Sequence, residues 1–282
     1  MIRRRIDTER GQVVYWVNEG AAASAEDEAN PTHPQPLPPL VFLPGLTADH
    51  RLFDKQIAHF EPQAKCLVWD PPAHGFSRPF ALDGLTLADK ARLLMRILER
   101  EGVEHPVLVG QSMGGYVTQM FIHLFPGVAR GFVAIDSAPL NRAYLTGVEL
   151  ALLRHTKLMY RSIPWSMLLK WGSSGVATSP YGQAVMLEMM QEYEKREYCE
   201  LAAWGYAALA DAVSPDIRKL PAAPTLLICG TRDAAGSAKR YNKRWAADGL
   251  PIRWIEGAGH NANCDAPEKV NALIEEFARS LA

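Results

Sequence analysis

Three short segments hold side chains that together can activate a nucleophile and move its proton. Gly110-Gln111-Ser112-Met113-Gly114 sets a hydroxyl between glycines, Thr231-Arg232-Asp233 supplies a carboxylate, and Gly259-His260-Asn261 supplies an imidazole. A serine hydroxyl is weak by itself. It needs a base within hydrogen-bond reach, and the base needs a third group to orient it. A tight turn would also place glycines around a serine, because glycine tolerates positive φ, so the choice depends on the flanking elements.

Those elements fit the chemical reading. The apolar run VLVG precedes the serine segment and YVTQMFIHLF, apolar at helical spacing, follows it. G-x-S-x-G between a strand and a helix is the context in which a sharp turn exposes a nucleophile. TLLICG precedes the Asp233 segment and IRWIEG precedes the His260 segment. In a parallel sheet the carboxyl ends of strands share one rim, so residues just past these three runs converge although they are distant in sequence. The helix starting near Met113 also points its first amides at any anion formed beside Ser112.

Further strand-length runs, VVYWV, LVFLPG, CLVWD, PVLVG and GFVAID, alternate with amphipathic segments such as TLADKARLLMRILEREG. This alternation predicts an α/β fold with a largely parallel sheet covered by helices. The start, RRRIDTERGQVVYWVNEG, reads as an antiparallel hairpin at the sheet edge. Gly20 to Pro39 is rich in Ala, acidic residues and Pro and is expected to form a surface loop. From about Asn141 to Pro215 no strand-like run occurs, and the sequence is helix-compatible and dense in Met, Tyr and Trp. It is expected to be a helical insertion between strands, residues 141–215, in a core made of 1–140 and 216–282.

From VFLPGL through DPPAHGFS, GQSMGG and GTRD to GAGHNAN, the chain resembles the α/β-hydrolases of the esterase, lipase and C-C hydrolase type. The resemblance implies a mostly parallel eight-stranded sheet flanked by helices, with a helical cap inserted after the sixth strand. It implies Ser112 as nucleophile, His260 as base and Asp233 as acid. It also implies that the backbone N–H groups of Leu46 and Met113 receive the oxyanion, and that an acyl-enzyme forms and is hydrolysed. Many relatives have His-Gly where this chain has Pro44-Gly45. Related dehalogenases and epoxide hydrolases carry an Asp nucleophile in place of the serine, which sets them aside.

Two rivals stand beside these assignments. His74 follows CLVWD on the same rim, and Asp136 follows GFVAID, where some α/β-hydrolases place the acid. Asp70 and Ser77, around His74, are read as shaping a turn. In the insertion, Trp165, Trp171, Met186 and Trp204 are candidates for an apolar substrate pocket, with Gln111 beside the serine as a further candidate.

Composition narrows the partners. The 282 residues are 48% hydrophobic and 22% charged with a formal net charge of -1, which offers no global attraction to nucleic acid or an anionic membrane. No apolar run reaches the roughly 20 residues of a membrane span, and the basic MIRRR start lacks the apolar core of a secretory signal. Four scattered cysteines show neither zinc-knuckle nor redox spacing, which points to the cytoplasm. Neither a metal nor another cofactor is expected, and the partner is a small-molecule substrate, with the protein a monomer or homodimer. The expected activity is hydrolysis of a small, hydrophobic ester or related carbonyl compound. A C-C bond hydrolase or a proline iminopeptidase-like peptidase would use the same three residues, and a non-catalytic receptor would use the same fold.

Overall fold

The computed structural model describes residues 1–20 and 36–281. Most of the stretch expected as a surface loop, Gly20 to Pro39, lies outside the described residues. Eight strands form one sheet: β1 (Ile2–Thr8), β2 (Gly11–Val17), β3 (Leu40–Leu43), β4 (Cys66–Trp69), β5 (Val107–Gln111), β6 (Gly131–Ile135), β7 (Thr225–Gly230) and β8 (Ile252–Ile255), in the order β1-β2-β4-β3-β5-β6-β7-β8. β1 pairs antiparallel with β2, and β2 antiparallel with β4. Every other pairing is parallel.

The strand sequences explain the sheet. β3, β4, β5, β6 and β7 are buried at every position, as continuous Val, Ile and Leu runs require when helices cover both faces. Cys66 and Cys229 fall inside β4 and β7 as small apolar fillers, and all four cysteines are free and buried.

The core helices that precede β6 are α1 (Asp54–Phe60), α2 (Leu87–Glu101) and α3 (Met113–Leu124). In α2, Thr86 and Asp89 satisfy each other's backbone amides as a capping box, and Gly102 ends the helix in the left-handed conformation. Between β6 and β7 lie five helices: α4 (Gly147–Arg154), α5 (Thr156–Ser162), α6 (Trp165–Ser174), α7 (Pro180–Gln191) and α8 (Lys195–Ala212). The chain leaves and rejoins the core at one place. Arg142 N donates to Ser214 O at 3.1 Å and Ser214 N to Leu140 O at 3.3 Å. After β7 come α9 (Ala238–Ala247), α10 (Ala262–Asp265) and α11 (Pro267–Arg279). α11 docks on α1, where Gln56 Nε2 donates to Asn271 Oδ1 at 2.9 Å. Among the described residues no helix is long and apolar enough to cross a membrane.

Candidate active site

β5 ends at Gln111, and Ser112 turns the chain into α3 with φ 48° and ψ -114°. A non-glycine residue there is strained. The turn is held by Ser112 N donating to Ile135 O at 2.9 Å and by Ser137 Oγ donating to Ser112 O at 2.8 Å. The adjacent glycines are a steric need. A Cβ on Gly110 would stand 2.6 Å from the backbone of Gly114 and Gly115, and one on Gly114 would strike the Leu43 carbonyl.

Asp233 lies three residues past β7 and His260 five past β8, and both reach the rim where Ser112 projects. His260 Nε2 is 2.8 Å from Ser112 Oγ, and its Nδ1 is 3.1 Å from each Asp233 carboxylate oxygen. Asp233 Oδ1 also accepts the Ala235 amide at 2.8 Å. The loop carrying His260 is tied down by Asp265, which accepts from Gly259 N and Ser179 N at 2.8 Å each. Burial opposes the protonated imidazole, but the hydrogen bond and charge of Asp233, with a smaller contribution from Asp136, raise the His260 pKa above the ordinary 6.5.

The rivals are engaged with other partners, although Asp136 also lines the cavity that holds Ser112 and His260. Asp136 Oδ1 accepts Gly230 N at 2.7 Å and its Oδ2 accepts Ala262 N at 3.1 Å, so this carboxylate clamps two backbone segments and makes no hydrogen bond to His260. Burial pushes its pKa far above the carboxylate range, and the nearby Asp233 charge pushes it further. His74 is buried with Nδ1 3.0 Å from Pro72 O and makes no contact with Ser112. Burial and the Lys90 charge hold it well below the ordinary histidine pKa. Asp70 accepts from Phe76 N at 2.7 Å and from His50 Nδ1 at 2.7 Å, and Ser77 Oγ donates to Asp70 O at 2.8 Å, so both shape their turn.

Leu46 and Met113 line the same cavity as Ser112. Neither amide donates to another described residue. A Cβ on Gly45 would come within 3.2 Å of Ser112 Cβ, so the loop leading to Leu46 lies directly against the Ser112 turn. α8 passes over the Leu46 side chain at Gly205, where a Cβ would strike it.

Two cavities meet at Ser112, Leu46, Tyr206, Ala235 and His260. The larger, about 280 Å³, is lined mainly by apolar groups, including Tyr116, Leu145, Leu153 and Leu209, with Glu149 and Tyr241 among its polar ones. The smaller, about 100 Å³, is lined by Gln111, Met186 and Asn261 among others. Of the expected pocket residues, Met186 and Gln111 are therefore at the site, while Trp165, Trp171 and Trp204 line neither cavity. Trp204 donates from Nε1 to Leu85 O at 3.0 Å and covers Lys90, Trp165 packs on Tyr198, and Trp171 is 52% exposed. Their large rings join helices or face water. Tyr116, Glu149, Tyr206 and Tyr241 carry no signal in the sequence that marks them as site residues, because they come from four different helices and share no motif.

Asp136, Cys229 and Asp233 bring ligand-type atoms within 4.8 Å of one another, as do Asp49, His50 and Asp70. In the first group the carboxylates already serve the backbone and His260, and in the second the Arg51 guanidinium holds Asp49 at 2.6 Å. These donor sets do the work of hydrogen bonding and ion pairing.

Residues 40–273 match the model of the alpha/beta hydrolase family, and the chain belongs to that family. It is 24% identical over 247 residues to the 2-succinyl-6-hydroxy-2,4-cyclohexadiene-1-carboxylate synthase of Serratia proteamaculans, spanning 85% of this chain and 92% of that one. It is also 24% identical over 251 residues to 3-oxoadipate enol-lactonase 2 of Acinetobacter baylyi, spanning 84% and 87%. A thermophilic esterase from Thermogutta terrifontis has the same fold, with a TM-score of 0.76, 19% identity and coverage of 100% of this chain and 99% of that one.

Proposed function

We propose that the protein is a serine hydrolase of small, largely apolar esters or lactones, acting through Ser112, His260 and Asp233. One observation carries this reading: the His260 ring spans Ser112 Oγ at 2.8 Å and both Asp233 oxygens at 3.1 Å. A neutral imidazole with its proton on Nδ1, held there by Asp233, leaves Nε2 free to accept the serine proton.

As Ser112 Oγ attacks the carbonyl carbon, its proton passes to His260 Nε2, and Asp233 stabilises the imidazolium. The carbonyl oxygen becomes an oxyanion that the amides of Leu46 and Met113 receive. His260 then returns the proton to the leaving oxygen, the C–O bond breaks and an acyl group remains on Ser112. Water, deprotonated by His260, attacks that ester, and the serine regains its proton as the acid departs.

α4 to α8 act as a cap that walls the substrate cavities. At about 280 Å³ the larger cavity is near the lower end of ordinary ligand pockets, which suits a compact substrate. The lactonase and esterase named above support ester or lactone cleavage. Buried, unpaired cysteines support a reducing compartment.

The test is a panel of p-nitrophenyl esters of graded acyl length, simple lactones, anilides and vinylogous diketones. Turnover of the esters or lactones, reduced at least about 10³-fold by Ser112→Ala, is the expected result. Turnover of only the diketones would assign C-C cleavage instead, and ester hydrolysis unaffected by Ser112→Ala would overturn the nucleophile.

A further inference from the structure

The outer side of the cap is apolar where water ordinarily selects polar groups. Nine large apolar side chains are exposed among the described residues, and six of them, Val148, Leu152, Leu158, Met159, Met167 and Trp171, fall on α4, α5 and α6. Scattered singly, such residues need no explanation, but a concentration of them marks an interaction surface. α4 and α5 both pack on α8. Their inward sides carry Leu150, which is buried, and Tyr160, whose hydroxyl lies 3.3 Å from that of Tyr206. Val148 and Leu152 stand one turn apart on the outward side of α4, and Leu152 is 66% exposed. In α5 no residue is buried, and Leu158 is 78% exposed. A surface helix normally turns its polar groups to water. These two do the reverse.

Their charge is one-sided as well. Residues 147–174 hold Arg154, Lys157, Arg161 and Lys170 against a single acid, Glu149, whose carboxylate accepts from the Tyr241 hydroxyl at 2.6 Å and from Arg240. Arg154 and Arg161 reach Asp211 and Glu200 of α8 at 2.8 and 3.8 Å. Lys195, at the start of α8, donates to Arg161 O at 3.0 Å and so adds a further cation at the end of α5. Neither Lys157 nor Lys195 stands in an ion pair among the described residues. A chain with a formal net charge of -1 thus carries a local cationic excess on the segment that exposes its leucines. Aliphatic side chains beside lysines match an anionic lipid surface, whose phosphates attract the ammonium groups while its acyl boundary takes the leucines. A two-fold dimer through this face would instead bring the same cations together.

We propose that the outer face of α4 and α5 docks on an anionic lipid surface, with Val148, Leu152, Leu158 and Met159 entering the acyl boundary and Lys157 and Lys195 meeting the phosphates. Leu152 also lines the larger cavity beside Ser112. The docked face therefore adjoins the substrate cavity, and an apolar ester dissolved in the lipid enters it without crossing water. That consequence rests on the hydrolase reading above, whereas the docking does not.

Flotation of the full chain with vesicles of phosphatidylcholine, alone or mixed with phosphatidylglycerol, tests this. The expected result is binding to the mixed vesicles that weakens with salt. It should fall about tenfold in Lys157→Gln/Lys195→Gln and at least about tenfold in Val148→Gln/Leu158→Gln. Both double variants should keep the circular dichroism of the unsubstituted protein and its turnover of a water-soluble ester, so that lost binding is not lost fold. Folded protein that binds neither kind of vesicle, or binds both equally with no response to either double variant, would overturn the proposal. So would a dimer that Val148→Gln/Leu158→Gln splits into monomers, which would assign the face to a second copy. Ser112→Ala should bind the mixed vesicles as the unsubstituted protein does. Vesicle binding by an unsubstituted protein that cleaves no ester would overturn the hydrolase reading and leave the docking standing.

Discussion

Asp136, at the end of β6, accepts the amide of Gly230, the last residue of the strand that delivers Asp233, at 2.7 Å. Two carboxylates thus sit side by side with different tasks: Asp136 locks the backbone beneath the site, and Asp233 faces the imidazole. Their replacements should separate. Asp233→Asn should lower kcat about 10⁴-fold by favouring the wrong imidazole tautomer. Asp136→Asn should cost about 1–3 kcal/mol of stability through a lost backbone hydrogen bond, with a far smaller loss of kcat. Because the folded pKa of Asp136 is raised, its contribution is fully present below the unfolded carboxylate pKa and declines as pH rises through the folded value. The stability loss of Asp136→Asn should accordingly be largest in acid, as urea unfolding across a pH series would show.

The raised pKa of His260 sets the pH profile. The base must be neutral to accept the serine proton, so kcat/KM should fall as pH drops through the folded His260 pKa, with a midpoint above 6.5. Asp233 supplies most of the upward shift. Residual activity of Asp233→Asn should therefore show an acid limb displaced to lower pH. For stability, His260 contributes fully below its unfolded pKa, and that contribution is lost as pH rises through the raised folded value.

Strain at the Ser112 turn should be measurable. Ser112 holds φ 48°, where glycine is at ease. Both Ser112→Gly and Ser112→Ala remove the hydroxyl, but only the first relieves the backbone. Ser112→Gly should exceed Ser112→Ala in stability by about 1–2 kcal/mol, read from the urea midpoints of the two inactive variants.

Lys90 lies on α2 beneath Trp204, with Nζ 4.4 Å from the ring centroid and only 1% exposure. Burial lowers its pKa to about 7. Holding this lysine charged in the folded state is unfavourable, so the penalty is absent where both states are neutral, above the unfolded lysine pKa. It grows as pH falls toward the folded value. Lys90→Met, which keeps the apolar stem, should raise stability at pH 7 by about 2–4 kcal/mol, and the gain should shrink above about pH 10. A decrease in stability at pH 7 would show that the contact with Trp204 outweighs desolvation.

Cavity shape should govern chain length. Leu209 lines the larger cavity, whereas Trp171 is exposed and lines neither. Leu209→Trp should shift the preferred p-nitrophenyl ester toward shorter acyl groups, and Trp171→Ala should leave the preference unchanged.

Sequence patterns carried the positions of Ser112, Asp233 and His260 because each follows a buried strand run on one rim, and the parallel connection turns sequence order into spatial convergence. Periodicity could not tell which face of an inserted helix looks at the site. Trp204 and Tyr206 are two residues apart on α8, yet Trp204 caps Lys90 while Tyr206 lines both cavities. The second carboxylate was visible as a candidate at Asp136, but its use as a backbone clamp depends on Gly230 and Ala262 arriving from distant segments. The Nδ2 of Asn261, unpartnered among the described residues, has no signature in the sequence, since it depends on Gln111 being held by His260 O.

The central claim is that His260 makes Ser112 a nucleophile, and mapping a fluorophosphonate adduct by peptide mass spectrometry tests it most directly. Modification confined to the peptide containing Ser112, abolished in Ser112→Ala and slowed at least about 10²-fold in His260→Ala, is the expected result. Folded protein that remains unlabelled, or that labels equally well without His260, would contradict it.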